Sequence, residues 1–183
     1  MSDRDAIDHV GALPIGRGWT YRLRQLIAAL TARVRPDERA LLARILNDEQ
    51  VRLFETMPRF DQRHSLDVYY ALARAGYDHP QLLQAALLHD CGKVDSAGRT
   101  IPLLYYGLIV ILQHSAPRLY IYAARHGHGP LRPFAVHAGH EQRSATYAAA
   151  AGSDPVVVQI LRDYATKRST PLTSALRAAD DMH

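Results

Sequence analysis

His89 and Asp90 stand side by side at the end of the apolar run Leu82–Leu88, and they are the residues in this chain best suited to chemistry. A neutral imidazole nitrogen and a carboxylate oxygen are both ligands for borderline divalent metals such as Mn, Fe, Ni, Co or Zn. Gly92 follows two residues later, so the pair falls where a helix stops. A His-Asp pair at a fraying helix end is commonly just a partly exposed pair. Two adjacent ligands make a metal centre only if other elements deliver more of them.

The neighbouring elements can do so. His64 opens or just precedes a helix with an apolar face of Leu66, Tyr69, Tyr70 and Ala73 and a stop at Gly76. The next helix, begun by Asp78-His79-Pro80, must return antiparallel after a short connection. That return places His64 and His89-Asp90 at the same end of a helical hairpin. The last helix starts at Ser169-Thr170-Pro171 and carries Leu172, Ala175, Leu176 and Ala179 on one face. Asp180 falls one turn after Leu176, beside that face, with Asp181 as its rival; periodicity alone leaves the choice close.

These motifs, in this order, resemble the HD superfamily of metal-dependent phosphohydrolases over roughly residues 58–183. The resemblance is to members with His-Asp-Ile-Gly-Lys where this chain has His89-Asp90-Cys91-Gly92-Lys93. It implies a metal held by His64, His89, Asp90 and Asp180, the last because the family's late aspartate directly follows an alanine. It also implies that Lys93 lies beside a substrate phosphate, whereas HD nucleotidases carry glutamate there; without the resemblance, Lys93 is simply a cation near a helix C-terminus. His140-Glu-Gln-Arg143-Ser-Ala-Thr resembles the family's His-Pro-x-x-Gly-Ala segment, which gives His140 a place facing the site. The further His pair of two-metal members is replaced by Arg162-Asp163-Tyr164, so one metal per chain is expected. Arg143 is a candidate phosphate clamp or a solvated helix arginine. Asp95, in the loop after Lys93, is a candidate acid/base group or plain turn chemistry.

A chain of 183 residues, 48% of them hydrophobic, suits one domain with a sizeable core. The net charge of +4 comes almost entirely from scattered arginines, since Lys93 and Lys167 are the only lysines. Such diffuse charge suits small anionic substrates as well as nucleic acid and decides neither. The lone Cys91 rules out an internal disulfide and a Cys-based zinc site, in keeping with a reducing cytoplasm. The apolar stretch Ile101–Leu112 falls short of the roughly 18 residues a spanning helix needs, and no signal peptide is evident.

Residues 1–18 read as a polar or flexible arm whose Pro14–Gly18 turn lacks the strand and Gly-Lys-Ser/Thr of a phosphate loop. Residues 19–57 read as N-terminal helices packing on the core or on a second subunit: Trp19 to Val34 ended by Pro36, then one segment closed by Pro58. Residues 101–126 form one long or two kinked helices broken near Pro117, with Tyr105, Tyr106, Tyr120 and Tyr122 as core aromatics. Leu103–Leu112, apolar nearly all round, is also a possible homodimer surface. His126–Pro133 reads as a loop, possible as a lid.

The expectation is an all-α, single-domain HD-fold helical bundle of about seven or eight helices. Its function would be hydrolysis of a phosphate monoester or diester, of a nucleotide in particular, by metal-activated water, with Lys93, His140 and Asp95 as catalytic groups and Lys93, His140 and Arg143 on the phosphate. The alternative is a regulatory or scaffold module that binds a nucleotide or partner with little turnover.

Overall fold

Helix α4 (Pro80–Leu88) is apolar nearly all round, and Leu82, Ala85, Ala86, Leu87 and Leu88 are all fully buried. A helix of that composition has to be surrounded by others. In the computed structural model, which describes residues 33–182, it is. Around it pack α2 (Asp48–Thr56), α3 (Arg59–Arg74), α9 (Pro155–Ala165) and α10 (Pro171–Asp180), while α1 (Pro36–Ile45) and α8 (His140–Ala150) extend the same core. Burial of each leucine of α4 stabilises the fold by about 1.5–3 kcal/mol. The core also takes Leu66, Leu72, Phe54, Leu161 and Leu176, none more than marginally exposed.

The helix ends follow from local chemistry. Gly76, at φ +84, closes α3 with a paired cap in which Tyr77 N–H donates to Leu72 O and Gly76 N–H to Ala73 O. Pro80, Pro155 and Pro171 occupy first-turn sites, and the Asp154 and Thr170 side chains accept backbone N–H groups of their own helices. A buried ion pair, Arg63 Nη1 to Glu38 Oε1 at 2.6 Å, ties α1 to α3 immediately beside His64.

The remaining helices, α5 (Leu103–Ser115), α6 (Pro117–His126) and α7 (Arg132–Ala138), build a second and smaller core of Ile101, Ile109, Ala123, Phe134 and Val136. Short 3-10 turns, Cys91–Lys93 and Gly129–Leu131, complete the described chain, which contains no strand among its described residues.

The architecture is all-α, with several departures from expectation. Ten α-helices occur among the described residues, where seven or eight were expected. Residues 37–57 form two helices, because Asn47 caps α2: its side chain accepts Gln50 N–H and Gln50 returns the bond to Asn47 N–H, both at 2.8 Å. Helix α3 starts at Arg59, a full turn before His64. Residues 132–138, read as the end of a loop and its sequel, form α7, with Pro133 in its first turn. The arm over residues 1–18 and most of the Trp19–Val34 helix lie outside the described residues; Val34 itself is not helical and packs against the core.

Candidate metal centre

Three elements meet at one end of the bundle. His64 comes from the second turn of α3, His89 is the last residue capping α4, and Asp180 closes α10. One ligand atom from each lies within 4.8 Å of the others. His64 Nε2 is 2.8 Å from Asp180 Oδ1, and His89 Nε2 is 3.4 Å from the same oxygen. Donors about 2 Å from a shared ion sit at separations of this order. Asp181, the neighbouring carboxylate, is exposed.

The fit to a metal rests on His89. Its Nδ1–H donates to the carbonyl of Ala86 at 2.9 Å, which fixes the ring orientation and leaves Nε2 as the nitrogen that would give up its proton to a metal. That Nε2 is buried and makes no hydrogen bond. Buried polar atoms are nearly always partnered, and this one points at Asp180 Oδ1 and Asp90 Oδ2, the latter 3.6 Å away. Burial disfavours charge on the ring, but the carboxylates of Asp90 and Asp180 outweigh it and push the imidazole up to about 9. The carboxylates that draw a proton there would equally draw a cation.

Asp90 lines the cluster without closing it. Its Oδ2 is 3.7 Å from His64 Nε2 but only 2.5 Å from Lys93 Nζ. Lys93 also reaches Asp61 Oδ1 at 3.4 Å and lies over the Tyr106 ring. Burial works against the ammonium charge; Asp90 and Asp61 overcome it and raise the lysine pKa. Lys93 is therefore neither a free cation at a helix terminus nor an unengaged phosphate ligand. It bridges two buried carboxylates.

On the other side, His140 Nε2 lies 3.5 Å from Asp90 Oδ1, and its Nδ1–H donates to His137 O. Its pKa is lowered, by burial first and then by Lys93 against the pull of Asp90, so a neutral ring presents its Nε2 lone pair to the site. His137, pushed down to about 4 by burial and its neighbour His140, is hydrogen-bonded to the Tyr120 hydroxyl at 2.9 Å.

Two expected phosphate or acid/base groups are engaged elsewhere. The Asp95 carboxylate accepts Ala97 and Arg99 N–H groups at 2.9 Å and pairs with Arg99 and Arg132, so it organises its own loop. The Arg143 guanidinium donates to the carbonyls of Gly92 and Val136, which makes it a clamp on backbone. That clamp belongs to a close approach of the Cys91–Lys93 turn to α8. A Cβ on Gly92 would fall 2.0 Å from His140 O and 2.6 Å from Ser144 N, and Gly92 N–H donates to Ser144 Oγ at 2.9 Å. Gly92, expected as a helix stop, is needed for contact.

Asp61, Tyr106 and Tyr164 were not anticipated at the site. Tyr106 Oη donates to Asp61 Oδ2 at 2.8 Å, and Tyr164 Oη donates to Asp180 Oδ2 at 2.5 Å. Asp61 carries a sequence signal, since it precedes His64 by three residues and shares its helix face. Tyr164 sits in the Arg162-Asp163-Tyr164 segment, which had no assigned role, and Tyr106 has no local signal at all. No family model, curated protein or solved structure matches the chain.

Proposed function

We propose that this protein is a metal-dependent phosphohydrolase of the HD type, acting on a phosphate monoester or diester such as a nucleotide. The observation that carries the proposal is the convergence of His64, His89 and Asp180, with the buried Nε2 of His89 unpartnered and its ring orientation set by Ala86. Those three residues would hold the ion, with the Asp90 carboxylate as a fourth ligand at its edge. Bound there, a divalent metal polarises a phosphoryl oxygen and makes water acidic enough to act as nucleophile at neutral pH.

The protein's own residues complete the chemistry. Tyr164 fixes the orientation of Asp180, and Ala86 that of His89, so the ligands are aimed before anything binds. The neutral Nε2 of His140 can take a proton from an attacking water or hold one for a phosphate oxygen. Lys93 supplies positive charge to the phosphoryl group only as its contact with Asp90 loosens, and Asp61 and Tyr106 keep the ammonium beside the site when it does.

One observation favours the alternative, a module that binds a nucleotide with little turnover: Lys93 is already committed to two carboxylates. Elemental analysis of the purified protein, followed by an aryl phosphate and a nucleotide panel with added Mn, Ni, Co or Zn, separates the two. About one metal per chain with turnover that His89→Ala abolishes supports the hydrolase. One metal per chain with thermal shifts by nucleotides and no turnover supports the binding module. Metal content unchanged by His89→Ala would remove the proposed centre altogether.

A further inference from the structure

Helices α5 and α6 turn apolar side chains outward where the bundle core hides them. Leu104 is 85% exposed, and Leu108 and Ile111, one and two turns further along the same face of α5, are exposed as well. On α6, Leu119 and Tyr122 are exposed, with Arg118 and Arg125 bracketing them. Apolar surface collected in this way marks an interaction site.

Charge indicates what kind of surface would cover it. The chain has 18 acidic residues, yet none lies between Asp95 and Glu141. Arg99 and Arg132 in that stretch both pair with Asp95. Arg118 and Arg125 make no salt bridge with any described residue, and they share the exposed side of α6 with Ile121 and Tyr122. Exposed leucines on α5 and α6, with arginines and a tyrosine on the exposed side of α6 and no salt-bridging carboxylate for those arginines among the described residues, match an interfacial surface on anionic lipid. A second copy docking through the same face would offer the arginines of α6 no acid from α5 or α6 to meet.

We propose that the α5–α6 face rests on anionic lipid bilayers, with Leu104, Leu108 and Ile111 entering the headgroup–acyl boundary and Arg118 and Arg125 at lipid phosphates. Among the described residues no helix is long and apolar enough to cross a membrane, and the proposed attachment is to the membrane surface.

Co-sedimentation of the full chain with vesicles tests this. Binding to phosphatidylcholine vesicles containing phosphatidylglycerol should exceed binding to pure phosphatidylcholine by about tenfold or more and should weaken in high salt. The pairs Leu104→Ser/Ile111→Ser and Arg118→Gln/Arg125→Gln should each lower it by about tenfold, with circular dichroism unchanged. Failure to sediment with phosphatidylglycerol vesicles, or binding indifferent to both pairs, overturns the proposal. So does a dimer in sedimentation velocity that the leucine–isoleucine pair dissociates, since the face then belongs to a second copy.

Discussion

Around the candidate metal centre the bundle buries charge; in α5 and α6 the chain exposes grease. Asp61, His89, Asp90 and, nearly so, Lys93 are shut inside, and each except the Nε2 edge of His89 has its partner. The α5–α7 segment encloses only five core residues and leaves Leu104, Val110, Ile111, Leu119 and Tyr122 in water. Buried charge is held only where surrounding groups are fixed to meet it, because each unpaired member is costly. The first region is therefore specified internally, residue against residue. The second has hydrophobic surface that its own described helices do not use, and its specification comes from whatever covers it.

The contrast can be broken most forcefully at Lys93. Lys93→Ala leaves Asp61 and Asp90 facing each other without a cation, and chemical denaturation should show a loss of about 3–5 kcal/mol. Adding Asp61→Asn should restore part of it; a loss below about 1 kcal/mol would mean that Lys93 does no more than complement a helix terminus. Next, Gly92→Ala forces a methyl group into the backbone of α8 and should cost about 3 kcal/mol in a urea melt, because neither His140 O nor Ser144 N can step aside as a side chain would.

Metal titration sharpens the comparison from the other side. Asp180→Ala should weaken binding of a transition metal by about 100-fold or more, while Asp181→Ala should leave it within about twofold. In the wild-type protein the added metal should slow amide exchange in α3, α4 and α10 and leave α5 and α6 unchanged. A smaller effect lies in the pH dependence. His137 titrates near 4 when folded, below its ordinary 6.5, because it is buried beside His140. The unfolded chain therefore binds the proton first, so His137 contributes stability above 6.5 that is lost progressively as pH falls towards 4. His137→Asn should flatten that part of the stability profile. The smallest change expected is at Gly107, mid-way along α5, where a new Cβ meets nothing: Gly107→Ala should stabilise by about 0.5–1 kcal/mol, opposite in sign to the same substitution at Gly92.

Much of the helical plan was legible locally. Proline at Pro80, Pro117, Pro155 and Pro171 and glycine at Gly76 punctuate the chain because their backbone limits act within a residue or two. The break at Asn47 was legible too, as Asn-Asp-Glu-Gln is a capping signature, but the surrounding apolar pattern runs through it. Helix α7 was harder, since His-Gly-His-Gly-Pro ahead of it reads as loop and seven residues give periodicity little to work on.

The sequence by itself determined that the chain is helical and that His89 and Asp90 end a buried helix. It also indicated that His64 belongs near them, because a short connection returns α4 alongside α3. Tertiary structure alone decided who meets whom inside. Lys93 goes to Asp61, 32 positions away, and Tyr164 to Asp180. Gly92 serves to let the backbone of α8 approach, and Asp95 and Arg143 are drawn into loop and backbone contacts. Helix formation depends on neighbours three and four residues apart, which a sequence displays directly. The pairing of buried charges depends on which helix ends the packing of apolar faces brings together, and that packing is set by the whole core at once.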